Sequence, residues 1–307
     1  MSTYLVTGGA GFIGSHLCEA LVARGDTVRV LDDLSTGHRR NLPPTATLIV
    51  GDVADPATVA QAVDQVDGCF HLAAIASVER GVTDWLGTHR ANLTGTVTVF
   101  DAIRRQGSKI PVVYASSAAV YGDAVTVPIA EAEPCVPLSA YGADKYACEM
   151  HARVASHVHA IPTVGLRFFN VYGPRQDPAS PYSGVISIFC QRVAAGSPIA
   201  IYGDGQQSRD FVYVGDVVRA LLAGMVLRPM DSPVFNVCSG ISTSVAELAG
   251  LIAELAGKNL NVRTEPPRAG EIRHSLGLPS LANRVLGLEG RVALRAGLRE
   301  VLAWMAR

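Results

Sequence analysis

Short runs rich in β-branched residues alternate with longer amphipathic segments through the first half of this 307-residue chain. The strand-like runs are YLVTGG, TVRVLD, ATLIVGD, GCFHLAA and PVVYASS, with TVGLRFFNVYG following later. Helical patterns occupy residues 12–25, 56–66, 84–106 and 139–159. Such alternation is typical of a parallel sheet covered by helices on both faces. We therefore predict an α/β fold with a doubly wound parallel sheet.

A change of rhythm after about residue 172 predicts a second domain. The stretch GPRQDPASPYSG is rich in Pro and Gly, which indicates a loop, and a helical pattern follows near 184–195. Shorter, less regular elements come next, among them PIAIYGDG, PVFNVCSG and NVRTEPPRAGE. We expect residues 1–172 to form the larger domain, with 215–240 returning to it. Residues 173–307 should form mainly a smaller, interwoven α/β domain.

The charge balance argues against two classes of partner. Charged residues make up 17% of the chain, and its net charge is -1 at pH 7. Without a basic excess, we expect no binding to nucleic acid or to an anionic membrane surface. The longest apolar stretches, such as ALLAGMVL, are far shorter than the roughly 20 residues that span a bilayer.

The cysteines indicate a reducing compartment. Six of them are scattered along the chain without a C-x-x-C pair, so we expect free thiols that are mostly buried, as in a cytoplasmic protein. The start, MSTYLVTGG, lacks a basic region followed by an apolar run, and no signal peptide is expected. No metal site is predicted.

A glycine-rich turn, GGAGFIG, follows the first strand and opens the first helix. Its glycines stand at 8, 11 and 14, where side chains would obstruct a pyrophosphate held by helix N–H groups. Asp32 ends the next strand and would accept hydrogen bonds from a ribose 2′-OH, which favours NAD over NADP. Arg39 and Arg40 leave NADP open as the weaker alternative. The pattern predicts a dinucleotide-binding site.

The stretch YGADK places Tyr141 and Lys145 four residues apart, on one face of a predicted helix. A free phenol has a pKa near 10, and a neighbouring ammonium favours its deprotonated form. The spacing could also arise by chance, which is the simpler explanation. The pair alone does not distinguish chance from a lysine that activates the phenol.

Together, the G-x-x-G-x-x-G turn and YGADK resemble the extended short-chain dehydrogenase/reductase family, and within it the nucleotide-sugar 4-epimerases of the UDP-glucose and UDP-N-acetylglucosamine type. The resemblance covers essentially the whole chain and implies a Rossmann-type sheet. Eight further stretches match in order: DDLSTG, GDV, HLAA, NLTGT, SSAAVYG, RFFNVYGPRQ, YGDGQQSRDFVYV and RAGE.

The resemblance implies an NAD site made by three groups of residues. The pyrophosphate would lie on Gly8, Gly11, Phe12, Ile13 and Gly14. The adenosine end would lie on Asp32, Leu34, Ser35, Gly37, Asp52 and Val53. The rest of the groove would be formed by Leu72, Ala73, Ala74, Asn92, Tyr141, Lys145 and Phe168.

The resemblance also gives roles to the catalytic residues. Tyr141 would take a proton from an alcohol as hydride leaves its carbon, and Lys145 would favour the phenolate and bind the nicotinamide ribose. Ser117, at the end of PVVYASS, would meet the substrate hydroxyl and orient or relay its proton.

The substrate implied by the resemblance is a UDP-sugar, with thymidine as an alternative to uridine. Arginines suit a diphosphate because they stay charged and donate bidentate hydrogen bonds. The expected substrate residues, besides Ser117 and Tyr141, are Asn170, Ala200, Tyr202, Arg209, Arg268, Glu271 and Ser275.

The residues after Ser117 distinguish the reactions of this family. Dehydratases follow the strand serine or threonine with an Asp-Glu pair, and UDP-glucuronate decarboxylases carry a Glu at the second position, whereas this chain has Ala118 and Ala119. The resemblance therefore implies a 4-epimerase that uses tightly bound NAD and a 4-keto intermediate. A UDP-glucuronate 4-epimerase and a catalytically silent NAD-binding regulator or scaffold remain the alternatives.

Two further expectations follow from the resemblance. Members restricted to glucose and galactose carry a tyrosine where this chain has Ser275, so the open space here implies that N-acetylated sugars are accepted too. The family usually forms homodimers through the helix that carries Tyr141 and its neighbour near 84–106, and we expect a homodimer.

Overall fold

The structure is a computed structural model that describes residues 1–107, 109–178, 184–267 and 272–306. These residues divide into two compact units. The first comprises 1–122, 134–168 and 218–235, and the second comprises 123–133, 169–217 and 236–307. The division differs from the predicted boundary at 172, and residues 123–133 join the second unit. Residues 218–235 return to the first unit, and they lie within the predicted stretch 215–240.

The main sheet has seven strands in the part of the chain that the structure describes, in the order β10-β6-β5-β4-β1-β2-β3. The strands are β1 (Thr3–Thr7), β2 (Thr27–Asp32), β3 (Thr47–Val50), β4 (Gly68–His71), β5 (Val112–Ser117), β6 (Thr163–Phe168) and β10 (Val234–Val237). The first six are parallel, and their order is that of a doubly wound sheet. The predicted α/β fold with a parallel sheet is confirmed.

Helices accompany these strands. They are α1 (Phe12–Ala23), α2 (Pro56–Val63), α3 (Val78–Thr83), α4 (Trp85–His89), α5 (Gly95–Arg105), α6 (Ala140–His159) and α8 (Val214–Val226). The stretch 84–106, predicted as one helix, is interrupted by a π-helical turn at Arg90–Thr94. Strands β4 and β6 are buried at every residue, as expected for strands covered on both faces.

The second unit has smaller sheets. Its strands are β7 (Asn170–Tyr172), β8 (Ile199–Tyr202), β9 (Ser208–Tyr213), β11 (Ser242–Ser244), β12 (Val262–Glu265) and β13 (His274–Ser275). Its helices are α7 (Val185–Ala194), α9 (Val245–Ala256), α10 (Ser280–Leu286) and α11 (Leu294–Met305). Strand β9 pairs with β7, β11 and β13, and β8 pairs with β12. A separate apolar core, with Phe189, Leu248 and Leu298 buried in it, holds this unit together.

Two remaining expectations concern membranes and thiols. None of the helices in the described ranges has the length and apolar character needed to cross a bilayer. All six cysteines have free thiols, and five of them are buried, as predicted.

Candidate active site

The glycine turn meets the loop after β4 at the point where the sheet order reverses. Gly8 has a φ of +70°, and a Cβ built on it would lie 2.7 Å from the backbone nitrogen of Ala73. A Cβ on Gly14 would lie 2.2 Å from the carbonyl oxygen of Gly8. Only glycine fits at either position, so two predicted cofactor segments, 8–14 and 72–74, adjoin at the carboxyl end of the sheet, where such folds bind ligands.

The N-terminus of α1 has the character of an anion site. Gly11 caps the helix without a side-chain hydrogen bond, and the first turn carries no acidic residue. The N–H groups of Phe12, Ile13 and Gly14 therefore keep their donor capacity and the positive end of the helix dipole. This turn fits a dinucleotide pyrophosphate.

Asp32 connects the glycine turn to the loop after β2. Its two carboxylate oxygens accept hydrogen bonds from the N–H groups of Ala10, at 2.9 Å, and Leu34, at 2.8 Å. Burial raises the pKa of Asp32, and these two hydrogen bonds act against the rise. Each oxygen keeps a lone pair, so the carboxylate can still accept from a ribose hydroxyl. A Cβ on Gly37 would lie 2.9 Å from Oδ1 of Asp32, which places this loop over the turn.

The other predicted adenosine-end residues have partners of their own. Ser35 donates to Asp33 through its backbone N–H, at 2.9 Å, and its hydroxyl, at 2.6 Å. Asp52 accepts from Nη2 of Arg90 at 2.7 Å. Val53 is 8% exposed and packs in the core, so its predicted contact with adenine stays a prediction.

A buried histidine, absent from the predicted site, organises the loop after β4. Oγ1 of Thr7 accepts from the N–H groups of Leu72 and Ala73, at 3.2 Å each. With both lone pairs used, its hydroxyl proton points to Nδ1 of His71, 2.8 Å away. His71 therefore carries its ring proton on Nε2. Its place as the first residue of the HLAA match was the sequence signal for such a role.

The same histidine reaches the π-helical turn. Nε2 of His71 donates to Oγ1 of Thr96 at 2.9 Å, and the Thr96 hydroxyl donates to the carbonyl of Asn92 at 2.6 Å. The side chain of Asn92 accepts from the N–H of Ile75 and donates to its carbonyl, so it attaches the π-helical turn to the loop after β4. Its predicted contact with the dinucleotide stays a prediction. Burial and, to a smaller extent, the charge of Lys145 lower the pKa of His71 to about 3.

The predicted catalytic residues lie on β5 and α6. Ser117 is the last residue of β5, and its Oγ accepts from the N–H of Ala119 at 3.2 Å. Tyr141 is in the first turn of α6, with Nζ of Lys145 at 5.9 Å from its ring centroid. Lys145 is 3% exposed and donates to the carbonyl of Ala115 at 2.9 Å. Phe168, the last residue of β6, is 8% exposed.

The turn that follows Ser117 carries no acid. Residues Ala118–Tyr121 form a 3₁₀ helix whose side chains are Ala, Ala, Val and Tyr. A Cβ on Gly142 would lie 2.5 Å from the carbonyl oxygen of Ala119, so α6 begins directly against this turn. The close contact places the end of β5 next to the helix of Tyr141.

A buried ion pair lies one helical turn beyond Lys145. Glu149 accepts from Nε of Arg167 at 2.8 Å and from Nη2 at 2.6 Å, and their side chains are 6% and 7% exposed. Burial acts to lower the pKa of the Arg167 guanidinium, but the hydrogen bonds and charge of Glu149 raise it above its usual value. Sequence reasoning missed this pair, although Glu149 continues the spacing of four from Tyr141 and Lys145.

The second unit contains the predicted substrate residues. Ser275 of β13 is the register partner of Arg209 of β9, so the structure brings these two together. Ala200 and Tyr202 are alternate residues of β8, and Asn170 of β7 pairs with Phe211 of β9. Arg268 and Glu271 lie outside the described residues.

An acidic residue beside Arg209 organises this sheet. Asp210 is fully buried and accepts from the N–H groups of Ser239, Gly240 and Gly277, at 2.6, 2.9 and 3.2 Å. The loops next to β11 and β13 are thereby attached to β9. In the described part of the chain, no cluster of His, Cys, Asp and Glu could hold a metal ion.

Comparisons with known proteins agree with this geometry. The model of the NAD dependent epimerase/dehydratase family matches residues 4–238. The UDP-glucose 4-epimerase of Mycolicibacterium smegmatis is 37% identical, over 97% of this chain and 96% of its own length.

Two solved structures superpose on almost the whole chain. The UDP-glucose 4-epimerase of Thermotoga maritima, with UDP-glucose, has a TM-score of 0.94 at 36% identity and covers 99% of this chain and 98% of its own. The UDP-N-acetylglucosamine 4-epimerase of Methanobrevibacter ruminantium, in complex with UDP-N-acetylmuramic acid, has a TM-score of 0.93 at 34% identity, with the same coverage.

Proposed function

The chain belongs to the NAD-dependent epimerase/dehydratase family, and from this we propose that it is a UDP-sugar 4-epimerase. Its substrates are UDP-N-acetylglucosamine and UDP-N-acetylgalactosamine as well as UDP-glucose and UDP-galactose. The observation that supports this reaction type is the turn after Ser117. It contains the positions that supply the acid and base for elimination in dehydratases, but here they are alanines.

Proton transfer falls to Tyr141. Its position in the first turn of α6, with the ammonium of Lys145 at 5.9 Å from its ring centroid, supports a role as the base that accepts the proton of the sugar C4 hydroxyl. Ser117 ends the neighbouring strand and orients that hydroxyl. When the sugar is reduced again, Tyr141 returns the proton to the C4 oxygen.

When bound, NAD would accept a hydride from C4 of the sugar and later return it to the same carbon. The residues that would hold it are the glycine turn, Asp32, the loop 72–74 and Lys145. Hydride and proton both leave C4 and its oxygen, and both come back, so the reaction has no net oxidation and needs no second substrate. Inversion requires only that the hexose turns over between the two transfers.

The absence of an acid after Ser117 favours this outcome over dehydration. Elimination of water across C5 and C6 needs a positioned acid and base, and the positions that supply them in dehydratases hold Ala118 and Ala119. A 4-keto sugar formed here therefore keeps its C6 hydroxyl group, because no residue in this turn can drive its elimination. Reduction at C4 is the step that remains.

The nucleotide is held by the second unit. Arg209 supplies a guanidinium for the diphosphate, and its neighbours in space on β9 and β13 are kept in place by Asp210. By the family resemblance, Arg268 is a second predicted ligand of the diphosphate and Glu271 a predicted acceptor for the nucleotide ribose. Tight binding of the UDP moiety, with few contacts to the hexose, allows the hexose to rotate between the two hydride transfers.

The direct test is to incubate the purified protein separately with UDP-glucose, UDP-N-acetylglucosamine and UDP-glucuronate, and to follow the C4 epimers by proton NMR. We expect epimers from the first two. Epimerisation of UDP-glucuronate alone would favour the uronic acid epimerase. Bound NAD without turnover of any of these three sugars would favour a regulator or scaffold, and either result would overturn the proposal.

The acceptance of N-acetylated sugars rests on Ser275. This residue pairs with Arg209 across β13 and β9, beside the proposed diphosphate site. An acetamido group at C2 sweeps through extra volume as the hexose turns, and a serine leaves more of that volume open than a tyrosine does.

Substitution of this residue tests the specificity argument. Ser275→Tyr should abolish turnover of UDP-N-acetylglucosamine while most of the UDP-glucose activity remains, because the phenol fills the space for the acetamido group. Ser275→Ala is the matched control and should keep both activities. Steady-state kinetics with each sugar measures this, and a tyrosine variant that still accepts the N-acetylated sugar would contradict the role of Ser275.

We further propose that the protein is a homodimer. Met150, Val154 and Val158 form a stripe at a spacing of four on α6, and they are 52%, 52% and 62% exposed. Trp85 and Leu86 of α4 are 68% and 83% exposed. Apolar residues exposed on the two predicted interface segments support pairing with a second copy of this chain.

A further inference from the structure

The inner face of α6 presents Tyr141, Lys145 and Glu149 at a spacing of four. Opposite charges at this spacing attract one another along a helix. Lys145 nevertheless has no ion pair with Glu149 in the described part of the chain. Its Nζ donates to the carbonyl of Ala115 at 2.9 Å instead.

The carboxylate of Glu149 is occupied by other donors. Arg167 donates to Oε1 through Nε at 2.8 Å and to Oε2 through Nη2 at 2.6 Å. The hydroxyl of Ser116 donates to Oε1 at 2.5 Å. Bidentate pairing with a guanidinium is among the strong hydrogen-bonded arrangements that a carboxylate can form.

Arg167 is itself fixed from a third direction. Its Nη1 donates to the phenol oxygen of Tyr121 at 2.7 Å, and its guanidinium lies 4.7 Å from the centroid of that ring. Strand β6 and the turn after Ser117 thus hold the guanidinium against α6.

We propose that Arg167 is a positioning residue that captures the carboxylate of Glu149 and thereby keeps Lys145 on Ala115 and beside Tyr141. An unpaired carboxylate at this depth carries a large desolvation penalty and is drawn to the nearest cation. Without Arg167, that cation is Lys145, one helical turn away. Lys145 would then turn from Tyr141 toward Glu149. The inference rests on the proposed function, because it assumes that Lys145 and Tyr141 act in epimerisation.

Four variants separate capture of the charge from simple anchoring. Arg167→Met leaves Glu149 uncompensated and should lower kcat about 100-fold, the scale of a misplaced catalytic group, with the KM for the UDP-sugar little changed. Glu149→Gln removes the competing charge and should keep kcat near that of the wild type. The double variant Arg167→Met with Glu149→Gln should recover most of the activity lost in Arg167→Met. Arg167→Lys keeps a cation beside Glu149 and should retain most of the wild-type activity.

A structural readout accompanies the kinetics. The crystal structure of Arg167→Met should show Nζ of Lys145 within ion-pair distance of Glu149 and its hydrogen bond to Ala115 lost. In the double variant that hydrogen bond should be present again. This readout holds whichever sugar the enzyme turns over, so a failure of the proposed function leaves it decisive.

Thr163→Val is the matched control. Thr163 lies on the same strand, and its hydroxyl contacts the carbonyl of Ala152 on α6 and the hydroxyl of Ser232, so its loss weakens packing around the strand without changing charge. It should lower the melting temperature and leave kcat unchanged. The proposal is overturned if Glu149→Gln loses as much activity as Arg167→Met, if the double variant does not recover, or if Lys145 stays on Ala115 in Arg167→Met. If Arg167→Met does not fold, Glu149→Gln alone tests the proposal. If the ion pair served only to attach β6 to α6, the kcat of Glu149→Gln would fall.

Discussion

His71 shows at the residue scale how burial and hydrogen bonding select one form of a titratable group. Its two ring nitrogens are occupied by Thr7 and Thr96, and burial lowers its pKa to about 3. A neutral ring with a single tautomer holds the loop after β4 and the π-helical turn in register. This arrangement lowers the free energy of unfolding at low pH, because the unfolded state binds a proton on His71 and the folded state does not.

The sign of this effect gives a prediction for His71→Gln. Below about pH 6.5 the unfolded state binds a proton on His71, whereas the folded state does not. As the pH is lowered further, this residue alone decreases the free energy of unfolding of the wild type by up to about 1.4 kcal/mol per pH unit. The variant should be less stable than the wild type at pH 7.5, and the gap should narrow at pH 5.5. Denaturant unfolding at both pH values measures it. His151→Gln, at an exposed histidine of α6, should keep the wild-type slope, and an unchanged gap for His71→Gln would contradict the prediction.

Tyr141 carries a prediction of its own. Tyr141→Phe removes only the phenol oxygen, so it should keep the fold and bound NAD while kcat falls about 10²–10⁴-fold, the usual contribution of a positioned base. Tyr146→Phe makes the same change five residues further along α6 and should leave kcat unchanged. Kinetics and the absorbance of bound NAD after purification measure the two effects. Near-normal turnover by Tyr141→Phe would remove it from the mechanism.

At the scale of elements, α6 serves two purposes on opposite faces. Its inner face holds Lys145 and Glu149 against β5 and β6, and Met150, Val154 and Val158 lie on its exposed side. Ser139 caps the start of the helix, because its Oγ accepts from the N–H of Gly142, and Ala160 caps its end in the left-handed conformation. Its exposed stripe is the reason to expect a second copy of the chain there.

Val154→Glu tests that expectation. A carboxylate in the centre of the stripe would have to be desolvated on pairing, so the variant should be monomeric under conditions in which the wild type is a dimer. Sedimentation velocity over a range of concentrations distinguishes the two. Val226→Glu places the same charge at another exposed valine, on α8, and should stay dimeric. A monomeric wild type, or a dimeric Val154→Glu, would contradict the interface.

At the scale of the whole molecule, the predicted binding residues are divided between two units with separate cores. The predicted NAD residues and Tyr141 belong to the first unit, and the predicted substrate residues in the described ranges, such as Arg209 and Ser275, belong to the second. Hydrophobic cores of their own, around Leu5 and Val99 in one and Leu248 in the other, support each unit.

Hydrogen exchange should distinguish what each unit binds. Protein stripped of NAD should gain protection in β1, β4 and the first turn of α1 when NAD is added, because ligand binding stabilises the elements that it contacts. UDP alone should protect β8, β9 and β13. The ligand-free protein serves as the reference. Protection by UDP confined to the first unit would contradict the assignment of the nucleotide residues.

The sequence by itself determined the features that depend on local pattern. Strand and helix periodicity predicted the parallel sheet, the glycine spacing predicted the turn at Gly8 to Gly14, and a spacing of four placed Tyr141 and Lys145 on one helix face. Each is a property of a few consecutive residues, whose backbone preferences and side-chain directions are the same wherever the segment lies.

The tertiary structure alone decided which distant residues meet. Thr7 and His71 are 64 residues apart, Glu149 and Arg167 are 18 apart, and Ser275 reaches Arg209 only because β13 pairs with β9. The π-helical turn within 84–106 likewise contains a contact to a distant part of the chain, because Asn92 accepts from the N–H of Ile75, 17 residues away. Buried polar groups must find partners, and packing of the sheet and helices, rather than spacing along the chain, determines which partners are within reach.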